Sequence, residues 1–257
     1  MQERQTIRCD HGWNIRVVDE TDSTNDALKR QLDAPHGTVL IARRQTGGRG
    51  RLGRQFLSPP GGLYLSVLLR PQVPSDQLLH LTPMTAVAVR RAISDCCGVR
   101  TEIKWTNDLV FGGRKLCGIL TELNCREGSL QSVIVGVGIN CNTDIASLDP
   151  SVSSMATSLA QIVGHRVEED ALASAVIFRL QQMDATLLTQ KAAWMKEYAA
   201  ACITVGRQVQ ILCGGERRQA FAEGIDENGG LLVRYENGET AAVTAGEVSV
   251  RGMYGYL

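Results

Sequence analysis

Residues 43–66, RRQTGGRGRLGRQFLSPPGGLYLS, constrain the chain more than any other stretch. Arg43, Arg44, Arg49, Arg51 and Arg54 are interleaved with Gly47, Gly48, Gly50 and Gly53, between the apolar runs VLIA (39–42) and LYLSVLL (63–69). Both runs read as short buried strands, so the segment is a loop with two fixed ends. Glycines let the backbone turn tightly and bring its N–H groups near a ligand, and arginines add planar charged forks that grip phosphate or carboxylate. The combination describes a loop that closes over an anion; a basic surface loop with no ligand is the plainer alternative. Gly48, Gly50 and Gly53 satisfy G-x-G-x-x-G, but a dinucleotide site needs a helix directly afterwards. Residues 55–62, QFLSPPGG, hold two prolines and two glycines and argue against one.

A chain of 257 residues holds one large domain, or a medium and a small one. Its 27 basic and 27 acidic residues cancel, which removes any general electrostatic case for nucleic acid or an anionic membrane. The eight cysteines (Cys9, Cys96, Cys97, Cys117, Cys125, Cys141, Cys202 and Cys213) lack C-x-x-C spacing, so reduced thiols are expected rather than disulfides or a zinc framework. No protein cluster for a metal is expected. The opening MQERQTIRCDHGW is charged and has no apolar core, and no run approaches the ~20 apolar residues of a membrane span. The expectation is a cytoplasmic protein without membrane attachment.

Along the chain, residues 15–18 read as a strand and Ser23 with Asp26 as a helix start, with the helix running to about Leu32. Ser23, Thr24 and Asn25 have two readings, simple capping or a polar ligand site at a helix N-terminus, and spacing does not separate them. Apolar residues from Leu78 to Ile93 recur at helical spacing and stop at Gly98. A strand at 102–105 breaks into Thr106, Asn107 and Asp108, and Lys115 follows the Gly112–Gly113 turn. VIVGVGI (133–139) reads as a buried strand, with a sheet edge and pairing across a homodimer as one option. Two helices are expected over 172–187 and 190–202. Beyond residue 203, short apolar segments (209–212, 231–235, 241–243, 248–250) alternate with hairpin signals at Asn228-Gly229 and Asn237-Gly238. The expected division is 1–203, a mixed α/β body, and 204–257, a small barrel of the SH3 type.

Taken together, STN (23–25), QTGGRGRLGR (45–54), KWTNDL (104–109), RKLCGIL (114–120) and GVGIN (136–140) resemble the bacterial biotin protein ligases, in order and over almost the whole chain. The resemblance implies an α+β fold: a class II aminoacyl-tRNA synthetase-like mixed sheet with flanking helices, plus the small C-terminal SH3-like β-barrel. It implies that biotin carboxylate attacks the α-phosphate of ATP, giving biotinyl-5′-AMP and pyrophosphate. A lysine of a biotin carboxyl carrier protein domain, of acetyl-CoA carboxylase or a related carboxylase, then takes the biotin. ATP with Mg²⁺ is the implied cofactor.

Matching positions imply that Ser23, Thr24, Asn25 and Gln45 hold biotin or the adenylate. Arg49, Gly50 and Arg51 belong to the loop that orders over it, and Arg51 retains it. Lys115 is the cation on the phosphate and carboxyl region, Asn107 and Asn140 orient nucleotide or metal, and Phe56 packs near adenine. Asp108 assists deprotonation of the incoming lysine, whose amine is scarce at neutral pH. His11, His36, His80 and His165 are isolated and are expected to be structural or surface groups. Two departures stand out. Thr106 replaces a common proline, and only 22 residues precede the STN element, which leads us to expect a monofunctional ligase without autonomous DNA binding. A lipoate–protein ligase and a non-catalytic biotin sensor are the rival readings.

Overall fold

In a computed structural model, which describes residues 3–4, 12–127, 129–213, 216–244 and 249–252, one large mixed sheet organises the chain. Its strands are β1 (Glu3–Arg4), β2 (Asn14–Thr21), β3 (Thr38–Gln45), β4 (Leu63–Leu69), β5 (Glu102–Lys104), β6 (Asp108–Phe111), β7 (Arg114–Arg126) and β8 (Ser129–Ile139), in the order β1-β2-β3-β4-β8-β7-β6-β5. β2 and β3 run parallel, joined through α1 (Thr24–Lys29), and the other neighbours pair antiparallel. α1 starts where the spacing predicts, with Ser23 accepting from Asp26 N at 3.4 Å. It ends at Lys29, short of Leu32, ahead of a turn that leads to Pro35.

Among the described residues five more α-helices follow: α2 (Leu81–Cys97), α3 (Pro150–Ser153), α4 (Leu159–Val163), α5 (Glu169–Thr186) and α6 (Lys191–Ala201). α2 stops at Gly98, whose φ of 67° is left-handed. Side chains alternate across a strand, so Val133, Val135, Val137 and Ile139 of β8 meet Leu63, Leu65, Val67 and Leu69 of β4 in the main core, under α2, α5 and α6. Each such aliphatic side chain contributes ~1.5–3 kcal/mol on full burial. Leu40, Ala42, Leu68 and Ile134 point the other way and are covered by Ala27 and Leu28 of α1.

The mixed sheet with flanking helices matches the expectation, but two expectations do not hold. β8 is hydrogen-bonded to β4 on one side and β7 on the other, so VIVGVGI is not an edge strand and cannot pair across a dimer. The C-terminal strands do not close into an SH3-like β-barrel. β9 (Gln208–Cys213), β10 (Glu216–Ile225), β11 (Leu231–Tyr235), β12 (Thr240–Val243) and β13 (Ser249–Gly252) form an open antiparallel sheet in the order β12-β11-β10-β9-β13. Closure requires hydrogen bonds between the outer strands. Among the described residues β12 pairs with β11 and β13 with β9, leaving the two edges unjoined. Val248, in the last expected strand, lies outside the described residues.

The second sheet shares its core with the first: Val209, Ile211, Ala222, Leu231 and Val233 belong to the same buried cluster as α2 and β8. A polar seam reinforces the join, with Trp105 Nε1 donating to Gly229 O at 2.9 Å and Lys191 Nζ 2.6 Å from Asn228 Oδ1. Gly229 has φ 85°, and a Cβ there would run into Pro83. Gly229→Ala is therefore expected to cost ~2–4 kcal/mol, from left-handed strain and overpacking together, as a lower urea midpoint. An unchanged midpoint would mean that this turn is not seated on the body. Among the described residues no helix is long and apolar enough to cross a membrane. Cys96, Cys97, Cys117, Cys125, Cys141 and Cys202 are free, while Cys9 and His11 lie outside the described residues.

Candidate active site

The face of the sheet that carries α1 continues past that helix into a cavity of about 330 Å³, within the range of small-molecule sites. β8 creates the space: beyond Ile134, the same-face positions are Gly136 and Gly138, and Gly118 of β7 lies opposite Gly138. These three glycines make a floor without side chains. A Cβ at Gly136 would strike Asn25 Oδ1, and one at Gly138 would sit 2.6 Å from Phe56 Cε1.

The glycine-arginine loop forms one wall. Bridges at Gln45–Ser58 and Arg49–Gln55, with Phe56 N donating to Gly48 O at 2.9 Å, fold it back on itself. A Cβ at Gly48 would lie 2.5 Å from Phe56 O and Ser58 Oγ, so the fold-back needs glycine there. The motif itself ends in a single 3-10 turn, Arg51–Gly53, with Leu52 at φ 56°, and no helix opens over residues 54–62; the dinucleotide motif is coincidental. Arg49 is ion-paired with Asp26 in the first turn of α1, which ties the loop to that helix. Phe56 lies over the glycine floor and meets Tyr64 edge-to-face, ring centroids 6.5 Å apart.

One end of the cavity is neutral and polar. Gln45 Oε1 accepts from Thr24 N at 2.8 Å and Thr24 Oγ1 at 3.1 Å, and Gln45 Nε2 donates to Ser58 Oγ at 2.9 Å. Ser66 Oγ lies 2.6 Å from each of Thr24 Oγ1 and Asn25 Oδ1. Asn25 Nδ2 donates to Glu122 Oε2 at 2.7 Å and, longer, to Leu120 O at 3.3 Å, and Lys29 closes the network on Glu122. Every one of these side chains is fixed by its neighbours, so the end is rigid before a ligand arrives.

The other end is cationic. Lys115 Nζ sits 2.7 Å from Asp108 Oδ1 and 5.5 Å from the Phe56 ring centroid. Lys115 is positioned by its backbone, with its N–H donating to Met155 O at 2.8 Å and its C=O accepting from Thr157 N at 2.9 Å. Burial pulls the Arg51 guanidinium below its usual value; the nearby Asp108 charge opposes that, and Arg54 adds to it. Arg51 stays charged regardless.

The sequence-derived residues Ser23, Thr24, Asn25, Gln45, Arg49, Gly50, Arg51, Phe56, Asn107, Asp108 and Lys115 all line this cavity. Asn140 does not. Its Nδ2 donates to Thr157 O at 3.0 Å, and its backbone bonds Leu116 and Leu159, which anchors the end of β8. Asn107 spends its amide on Ile119 O at 2.7 Å. Sequence reasoning missed Ser66, Glu122, Ser58 and the glycine floor; alternate glycines in an otherwise β-branched strand were the available signal. Of the histidines, His80 is buried against Leu187 O at 3.1 Å, His36 pairs with Asp184 at 2.9 Å, and His165 bonds Arg166 O at 3.0 Å. A neutral polar end joined across a bare floor to a cationic end suits a ligand with a polar head and an anionic tail or phosphate.

Comparison with known proteins points the same way. Residues 16–140 match the Biotin/lipoate A/B protein ligase family and residues 204–251 the Biotin protein ligase C terminal domain. The chain is 33% identical over 228 residues to the bifunctional ligase/repressor BirA of Bacillus subtilis, covering 86% of this chain and 69% of that protein. It is 30% identical over 242 residues to the biotin--[acetyl-CoA-carboxylase] ligase of Paracoccus denitrificans, covering 92% of this chain and 100% of that one. Among solved structures it is similar to the Aquifex aeolicus biotin protein ligase in complex with biotin and ATP, with TM-score 0.80, 31% identity, and coverage of 93% of this chain and 98% of that one.

Proposed function

The chain belongs to the biotin/lipoate A/B protein ligase family, and on that premise we propose how its cavity divides the work of biotin transfer. The chain is a biotin–protein ligase: it binds biotin and ATP and transfers biotin to protein. Our reading of the site rests above all on one observation, the neutral network of Thr24, Asn25 and Gln45 facing the Lys115–Asp108 pair across the glycine floor. The fused, uncharged ring of biotin goes to the polar end, with Ser23 beside it. The valerate carboxylate then points at Lys115.

In the first step a carboxylate oxygen bonds to the α-phosphorus of ATP, the bond to the β-phosphate bridging oxygen breaks, and pyrophosphate leaves. Charge builds on the nonbridging oxygens, and Lys115 with Arg51 supplies positive charge there without reorganisation. Phe56 gives the nucleotide an apolar surface, Asn107 holds the nearby turn, and Arg49 and Gly50 keep the loop across the adenylate. Asn140 acts from outside the cavity. Mg²⁺ is proposed to arrive on the phosphates of ATP; among the described residues no three His, Cys, Asp or Glu converge to hold it independently. In the second step the carrier lysine nitrogen bonds to the acyl carbon, AMP leaves, and Asp108 takes the ammonium proton.

The acceptor is proposed to be a biotin carboxyl carrier domain of acetyl-CoA carboxylase or a related carboxylase. Residues 1–203 are assigned to the catalytic unit and 204–257 to a C-terminal unit. A homodimer would use a surface other than β8. The free thiols fit a reducing cytoplasm.

Pyrophosphate release from Mg-ATP, measured with biotin, lipoate or neither and followed by addition of a carrier domain, tests the reading. Biotin-dependent release and a mass gain on the carrier lysine are expected. Release with lipoate alone would change the substrate, and biotin binding without release would leave a sensor.

A further inference from the structure

The TND turn after β5 presents Asp108 to Lys115, yet what holds its back comes from the far end of the chain. Tyr198, wholly buried on α6, donates its hydroxyl to Thr106 O at 2.9 Å. Trp105 N donates to Thr204 Oγ1 at 3.0 Å, and the Trp105 indole N–H reaches Gly229 O at 2.9 Å. Ile203 N donates to Ile103 O at 2.9 Å just before the turn. The turn's own hydroxyl does not do this job: Thr106 Oγ1 is buried with no hydrogen-bond partner among the described residues.

We propose that Tyr198 is a positioning residue for adenylation, its hydroxyl holding the Thr106 carbonyl so that the turn keeps Asp108, and through it Lys115, in register with the reacting phosphate. The inference rests on the ligase reading above. Thr204 and Gly229 complete the clamp, which makes the α6–β9 junction and the second sheet part of the catalytic apparatus. Burial raises the Tyr198 phenol well above its ordinary value, so it remains a neutral donor across the working pH range. A displacement of about 1 Å at such a site costs up to ~10²-fold in rate, so one hydroxyl two residues from Asp108 is enough to matter.

Tyr198→Phe in the full chain removes the hydroxyl alone. With Mg-ATP and biotin, its kcat for pyrophosphate release is expected to fall about tenfold, with KM for biotin within about twofold of the parent protein. In an Asp108→Asn background the same change should alter kcat by less than about twofold, because Tyr198 acts through Asp108. Thr204→Val, which removes the acceptor for Trp105 N, should lower kcat in the same way and stands in if Tyr198→Phe does not fold. Val176→Ala, a core truncation on α5, should lower the unfolding midpoint and leave kcat unchanged. Unchanged kcat in Tyr198→Phe, or a loss that simply multiplies with that of Asp108→Asn, would overturn the proposal. Amide exchange at residues 105–109 separates the two levels of the argument. If the parent protein releases no pyrophosphate with biotin, the ligase reading fails, and faster exchange in Tyr198→Phe still upholds the clamp, whereas unchanged exchange removes it.

Discussion

Replacing Lys115 with alanine is expected to slow biotin-dependent pyrophosphate release about 10²–10³-fold, the usual loss when one preorganised donor to a developing negative charge is removed. The size follows from where the ammonium sits. Its Nζ is 2.7 Å from Asp108 Oδ1, and the two side chains are 28% and 16% exposed, so the pair is partly shielded from bulk water at the cationic end of the cavity. Alanine removes the positive charge and leaves the Asp108 carboxylate facing the triphosphate, where like charges repel. The single variant should therefore show a raised KM for ATP as well as a lower kcat. Lys115→Ala combined with Asp108→Asn should recover part of the ATP affinity and none of kcat. Lys115→Arg should not rescue either, because a planar fork does not replace a point charge on a short tether to Asp108. Steady-state pyrophosphate release across ATP concentrations separates these effects. A Lys115→Ala enzyme within tenfold of the parent kcat would remove Lys115 from the chemistry.

Much of this site was legible in the sequence because its parts are local. The loop announced itself through arginines and glycines between two apolar runs, and the N-terminus of α1 through Ser23 and Asp26. The two meanings of Ser23, Thr24 and Asn25 could not be separated along the chain, and the structure shows the capping together with a place on the cavity wall. Ser23 caps the helix, while Thr24 and Asn25 reach across to Gln45, Ser66 and Glu122.

What stayed hidden depends on register and on distant partners. Asn140 sits in a motif yet turns to Thr157, a commitment that only the packing of the 155–159 segment reveals. β10 was not read as a strand because ERRQAFAEGI has no apolar run; its exposed Arg218 instead lays its guanidinium 3.7 Å from the Tyr235 ring centroid. Hairpin signals at Gly229 and Gly238 located two real turns, but hairpins do not determine whether a sheet closes, and among the described residues the outer strands do not pair with each other. VIVGVGI was legible as buried. Its place between β4 and β7, and the use of its glycines as a floor, were not.

That floor sets the second large effect: Gly136→Ala is expected to weaken biotin binding by about 10²-fold or more. The added methyl would occupy the position of Asn25 Oδ1, with Asn25 Cγ only 3.0 Å away, and Asn25 has nowhere to retreat. Its Nδ2 is held by Glu122 at 2.7 Å, and its Oδ1 lies 2.6 Å from Ser66 Oγ. Ser66 in turn touches Thr24, Thr24 touches Gln45, and Gln45 touches Ser58, so displacement of one carboxamide disturbs the whole polar end. Biotin would have to restore the two displaced hydrogen bonds on binding, at ~1.5 kcal/mol each or ~3 kcal/mol together, and each ~1.4 kcal/mol is tenfold in affinity. Gly138→Ala provides the contrast. Its methyl would meet the Phe56 ring edge, 2.6 Å away at the other end of the floor, so it should raise KM for ATP while leaving biotin affinity within severalfold of the parent. Titration calorimetry with biotin on both variants, with ATP kinetics alongside, reads the difference. If Gly136→Ala binds biotin as the parent does, the neutral network is not the biotin end, and the orientation of the substrate in the cavity must be reversed.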